Sequence, residues 1–190
     1  MRYTEYLKSA EKHLIGCMSL LASYSEGQRF DNHVWLELYY VAGYIIEGLT
    51  IYSAYKIYNW NPNYDIQKRY DLAFSQQTGL DFYYCRSKKD SNGAETIPSF
   101  FQNRPLGSLS VQGHRFQEIV KQLLNPDPSF NNIPYFGNGT IDADVKSLIE
   151  HWSPKVRYYY HGQQLPYPSL NYDIIRRLIN TCYTIYTNHI

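Results

Sequence analysis

Over residues 3–21, apolar side chains recur at spacings of three and four. Tyr3, Tyr6, Leu7, Ala10, Leu14, Cys17, Met18 and Leu21 share one face, with Glu5, Lys8, Glu11 and Lys12 on the other. That period predicts a first amphipathic helix. Ser25, Gly27 and Asn32 then punctuate a turn. From about Val34 to Tyr58 the chain is apolar on most faces, the pattern of a long helix central to its fold. Gly43 and Gly48 each cost that helix about 1 kcal/mol of propensity, and close approach of a neighbouring helix is the expected return. Asn59, Asn61 and Pro62 end it.

The pattern weakens over residues 61–110. Asp65–Gln77 has the length of a short helix, and Asp81–Cys85 is an aromatic piece compatible with strand or helix. Lys88–Ala94 is a polar turn, and Pro98, Pro105 and Gly107 argue against regular structure nearby. Lacking a sustained apolar period, this stretch reads as an irregular insertion rather than a second domain.

A third core helix is predicted from near Gly113 or His114, with Phe116, Ile119, Val120, Leu123 and Leu124 on one face, and Asn125-Pro126-Asp127-Pro128 stops it. A loop rich in Asn, Pro and Gly follows. Its Asn138-Gly139-Thr140 fits a glycosylation sequon but reads as a turn. A fourth helix is expected from Thr140 as cap, with Asp142 and Asp144 in its first turn and Val145, Leu148, Ile149 and Trp152 inward. Pro154 should kink or restart the chain there. After Pro166 and Pro168 a last helix runs from about Ser169, its stripe being Leu170, Ile174, Ile175, Leu178, Ile179, Cys182, Tyr183 and Tyr186. The expectation is an all-α, up-and-down bundle of four to five core helices. Residues 1–190 form a single domain, with the insertion between the second and third core helices.

Composition sharpens this picture in one respect. Of the 190 residues 21 are Tyr, against 8 Phe and 3 Trp, so the core carries hydroxyls that need partners or water. Formal net charge is +1, which leaves no global field toward nucleic acid or an anionic membrane. Any nucleic-acid contact must rest on a local cluster. Cys17, Cys85 and Cys182 follow no metal-ligand spacing and are expected to be reduced and structural. The first residues hold charges throughout with no apolar leader segment, and Val34–Tyr52 carries Glu37 and Glu47. A buried helix in a cytoplasmic protein is therefore expected rather than a membrane span.

Most chemistries lack their signature: no Gly-rich phosphate loop, GxSxG or HExxH occurs, and the six histidines show no metal-ligand pairing. No metal or cofactor is expected. What remains is Arg157 with His161, in Val156-Arg157-Tyr158-Tyr159-Tyr160-His161. Were a helix to continue through this run, the two would sit about 40° apart on one face. Arginine can hold a phosphate, histidine can move a proton, and Tyr158, Tyr159 or Tyr160 can stack a base, the minimum for metal-free RNA cleavage. The plainer alternative pairs Arg157 with a core carboxylate and makes His161 a helix cap. Glu47, among Ile45, Ile46 and Leu49, must be paired or reach water, and Arg157 is its expected partner.

Together these segments resemble the HEPN family of helical-bundle proteins. The resemblance rests on AEKHLIGCMSLL, LYYVAGYIIEGLTIYSAYK with Glu47, GHRFQEIVKQLL beginning at Gly113-His114, and WSPKVRYYYHG with Arg157-Tyr158. It implies a homodimer of four- or five-helix bundles. Active members are metal-independent ribonucleases of toxin–antitoxin and defence systems. Others act as nucleotide-binding modules or as partners of nucleotidyltransferases. The ribonucleases space Arg and His further apart than the three residues found here. The expectation is therefore a non-catalytic or weakly active dimeric module binding a nucleotide, RNA or protein partner, with Glu47, His114, Tyr158, Tyr159 and Tyr160 as binding residues. The alternatives are an endoribonuclease using Arg157 and His161, and a structural self-associating protein.

Overall fold

The long apolar segment forms one continuous helix, α2 (Asn32–Ile57), and the rest of the core is laid around it. The computed structural model describes residues 1–24, 32–66, 80–81, 88–89, 95–96, 109–111, 114–123, 141–159 and 169–189. Among them are four further α-helices: α1 (Thr4–Ala22), α3 (Phe116–Leu123), α4 (Ala143–His151) and α5 (Tyr172–Thr187). A 3-10 turn spans Pro154–Tyr158. The all-α expectation holds. The strands among the described residues are two-residue pieces: β1 (Leu80–Asp81) pairs in parallel with β4 (Leu109–Ser110), and β2 (Lys88–Lys89) antiparallel with β3 (Glu95–Thr96).

α2 packs against α1, α3, α5 and the 3-10 turn, while α5 also meets α1 and α4. The main core joins Ala10, Leu14, Cys17 and Leu21 of α1 to Ile45, Ile46 and Leu49 of α2 and Ile175, Leu178 and Cys182 of α5. Met18 and Tyr183, expected inside, are exposed, and Ile185 takes the inward position on α5. Among the described residues α2 is the one helix long and apolar enough to cross a membrane, and most of that stretch is buried. Its Glu37 is exposed and only Glu47 of the two carboxylates is buried.

The two glycines of α2 repay their propensity cost differently. An added Cβ on Gly43 would overlap the Trp152 indole outright. At Gly48 it would stand 3.2 Å from the Tyr6 backbone oxygen and 3.6 Å from the Ala10 Cβ. One glycine admits a side chain and the other admits a helix.

α2 ends in a Schellman motif. Trp60 N–H donates to Tyr55 O and Asn59 N–H to Lys56 O, both at 3.0 Å, with Asn59 left-handed at φ 55°. The Tyr55 and Trp60 rings then meet edge-on at 5.6 Å, the apolar contact that accompanies this cap. Tyr55 belongs to a second core with Tyr3, Ile51, Ala54, Ile66, Val111 and Ile119. Ile66 and Val111 thus bring the two ends of the insertion to one place beneath α2. Most of Asp65–Gln77 and Asp81–Cys85 lies outside the described residues, as do Gly113, Leu124 and the Asn125–Pro128 stop.

Tyrosine hydroxyls find partners where they are buried: Tyr39 donates to the Leu148 carbonyl of α4 at 2.7 Å. Cys17 and Cys182 are free and buried. Burial pushes the Cys17 thiol up to about 12 and the Cys182 thiol upward too, so both stay protonated. Cys85 lies outside the described residues. Thr140 does as well, and the cap of α4 is Asp142, which accepts from Asp144 N–H and Val145 N–H. Asn171 caps α5 by accepting from Ile174 N–H, so that helix starts three residues later than Ser169.

Candidate functional site

Three residues of α2, Tyr40, Tyr44 and Glu47, fall at i, i+4 and i+7 and so share one face. Two segments from far along the chain come to this face. One is the 3-10 turn carrying Arg157, and the other is His114, which leads into α3.

Trp152 delivers the first segment. Ser153 precedes a proline and is extended (φ −152°, ψ 160°), as the clash with the proline ring requires. α4 therefore stops, and Pro154 opens a new turn. The indole of Trp152 lies in the notch at Gly43 and donates from Nε1 to the Tyr40 carbonyl at 3.1 Å. It meets Tyr44 edge-on at 5.2 Å and Phe116 at 5.5 Å. Gln117 of α3 donates to the carbonyls of Ile149 and Trp152, at 3.0 and 3.2 Å, and so ties the end of α4 to α3. Val156 is buried next, and Arg157 and Tyr158 face outward.

The 3-10 turn ends at Tyr158, and Tyr159 is extended (φ −75°, ψ 151°). Helix is thus interrupted at Tyr159, two residues after Arg157. His161 and Tyr160 lie outside the described residues. Tyr159 is half-buried against the main core.

Arg157 is exposed and lies 4.6 Å above the Tyr158 ring. It donates to the Tyr158 hydroxyl, and this bond, with the Tyr40 phenol nearby, raises its already high pKa. Its expected pairing with Glu47 is not found: among the described residues no carboxylate lies within ion-pair distance of Arg157. The partner of Glu47 is His114, with Nδ1 2.8 Å from Glu47 Oε2. The carboxylate side chain is 10% exposed and the imidazole 54%. Burial raises the Glu47 pKa, and the His114 hydrogen bond opposes that shift.

Tyr44 stands between the two halves. Its hydroxyl accepts from Tyr40 at 3.2 Å, and its ring meets His114 edge-on at 6.3 Å. Burial, the Tyr40 bond and the Glu47 charge push its phenol upward, with Arg157 opposing. Tyr44 is therefore a neutral wall that senses both charged groups. Tyr40 and Tyr44 were not singled out from the sequence, although their spacing from Glu47 was there to read. Among the described residues no group of three His, Cys, Asp or Glu side chains is placed to hold a metal ion.

The face thus presents a cation on an aromatic platform, a neutral phenol, and a histidine seated on a buried carboxylate. Such a set can bind an anion and stack a planar ring. Comparison with family models, with curated proteins and with solved structures returns no match to this chain.

Proposed function

We propose that this chain is a HEPN-like, dimeric cytoplasmic module that binds a phosphate-bearing nucleotide, free or within RNA, without itself cleaving it. One observation carries the reading. Among the described residues the exposed Arg157 is held by the neutral Tyr158 hydroxyl and by no carboxylate, so its charge is left for a ligand. An arginine whose role is structural is normally spent on a carboxylate. Tyr158, 68% exposed beside it, offers a stacking surface for a base. The dimer, and a nucleotidyltransferase as further partner, rest on the family resemblance alone.

The reading expects a labelled oligoribonucleotide to bind at low salt by fluorescence anisotropy. Arg157→Ala should weaken that binding roughly tenfold and flatten the salt dependence by about one phosphate contact. Absence of binding, or an unchanged affinity in the variant, would overturn it. The same samples incubated with structured RNA in EDTA test the non-catalytic part. Cleavage that disappears in both Arg157→Ala and His161→Ala would replace the binding module with an endoribonuclease.

A further inference from the structure

The Glu47–His114 pair gives the site a second recognition element. Glu47 lies in the most apolar part of the molecule, among Ile45, Ile46 and Leu49 of the core, where an ionised carboxylate needs a partner. His114 Nδ1 supplies it at 2.8 Å. One ring nitrogen is thereby committed inward, and Nε2 remains on a ring that is half exposed. With neutral His114 the Nδ1–H donates to Glu47, and Nε2 carries a lone pair that repels anions. With a proton added, Nε2 becomes a donor and Glu47 beneath it balances the new charge. The dyad is thus a contact that a proton turns from anion-repelling to anion-binding.

The charged and titratable side chains around His114 fit that role. Glu47 and Tyr44 face it from α2, Arg115 and Glu118 belong to its own segment, and Arg157 lies beyond Tyr44. Arg115 is spent on Glu118, with Nε 2.8 Å from Oε1. Tyr44 stays neutral, so among the described residues nothing negative separates His114 from Arg157 across its ring.

Resting on the reading that Arg157 binds phosphate, we infer that the ligand group is a phosphomonoester, held between Arg157 and His114 across Tyr44, with uptake of a proton at His114. A phosphodiester carries a single charge, which Arg157 alone can match. A terminal phosphate carries nearly two at neutral pH, and the second is met by the imidazolium. A free nucleoside monophosphate and the 5′-phosphorylated end of an RNA share this chemistry.

Calorimetric titration of the full chain with a nucleoside 5′-monophosphate and with its methyl phosphodiester tests the inference. The monoester should bind about tenfold tighter than the diester, and raising the pH should diminish that preference. Titrations in buffers of different ionisation enthalpy should report net proton uptake with the monoester and none with the diester. His114→Gln should abolish both the preference and the uptake. Glu47→Gln, which keeps the imidazole and removes the charge beneath it, should diminish both, provided each variant shows the wild-type circular dichroism. Tighter binding of a 5′-phosphorylated than a 5′-hydroxyl oligoribonucleotide, beyond the mononucleotide's affinity, would assign the group to an RNA end. Equal affinity for monoester and diester, or no proton uptake, would overturn the inference while Arg157-dependent binding left the parent reading standing. No Arg157-dependent binding of any phosphate would overturn both.

Discussion

Gly43→Ala is expected to lower the stability of the bundle by about 2–3 kcal/mol, the usual cost of overpacking a filled core. The substitution improves helix propensity by about 1 kcal/mol, so propensity alone predicts the opposite sign. Packing wins because the added methyl would occupy the position of the Trp152 indole. Displacing that ring breaks its bond to the Tyr40 carbonyl and its contacts with Tyr44 and Phe116. Gly48→Ala is the control. Its methyl meets the Tyr6 carbonyl oxygen at 3.2 Å, so a shift of a few tenths of an ångström by α1 roughly cancels the propensity gain. Urea denaturation of both variants checks the contrast. Equal effects at the two glycines would show that Trp152 does not hold the 3-10 turn to α2. Because Trp152 positions Arg157, the Gly43 variant should also weaken the proposed phosphate binding, whereas the Gly48 variant should not.

Acidification from about pH 7.5 to about pH 4.5 should cost the wild-type protein up to about 3 kcal/mol more than His189→Gln. His189 is 6% exposed, and its Nδ1–H donates to the Ile185 carbonyl at 2.8 Å. Burial, aided by the Lys56 charge and opposed by that bond, lowers its pKa to about 4. In the unfolded chain the same imidazole titrates near 6.5. Between those values the unfolded state binds a proton that the folded state refuses, so stability is complete above about pH 6.5. It is lost as pH falls toward 4, and below that this group contributes no further change. Carboxylates titrating in the same range affect both proteins, so the informative quantity is the difference between the two denaturation series. Parallel curves would sink the assignment. The Lys56 ammonium donates to the His189 carbonyl at 3.2 Å, so protonation there would also loosen the end of α5 from α2.

The residues of the candidate site show how far pattern reading reaches. Glu47 announced its need for a partner, since a carboxylate amid isoleucines is costly wherever it sits. Which cation answers depends on how α3 and the 3-10 turn dock on α2, and no periodicity encodes that. His114 lies nearest, and Arg157 is instead drawn to Tyr158 and Tyr40. Tyr40 and Tyr44 escaped notice because α2 is apolar on most faces, so spacing alone does not tell which face stays open. Pro154 promised an interruption. Where the 3-10 turn that follows sits is fixed by Trp152 sinking into the Gly43 notch, a contact between distant segments.

What the amino-acid order determined by itself is local. Spacings of three and four define α1, α3 and α5, a run apolar on most faces defines α2, the glycines of α2 mark close approaches, and Asn59 closes the helix left-handed because its short polar side chain tolerates that conformation. Each follows from interactions within a few residues. Tertiary structure decided what crosses long distances: the filling of each glycine notch, the exposure of Met18 and Tyr183, and the pairing of Glu47 with His114. Those outcomes turn on side-chain volume and charge meeting in three dimensions, and the periodicity of one strand of sequence contains no term for them.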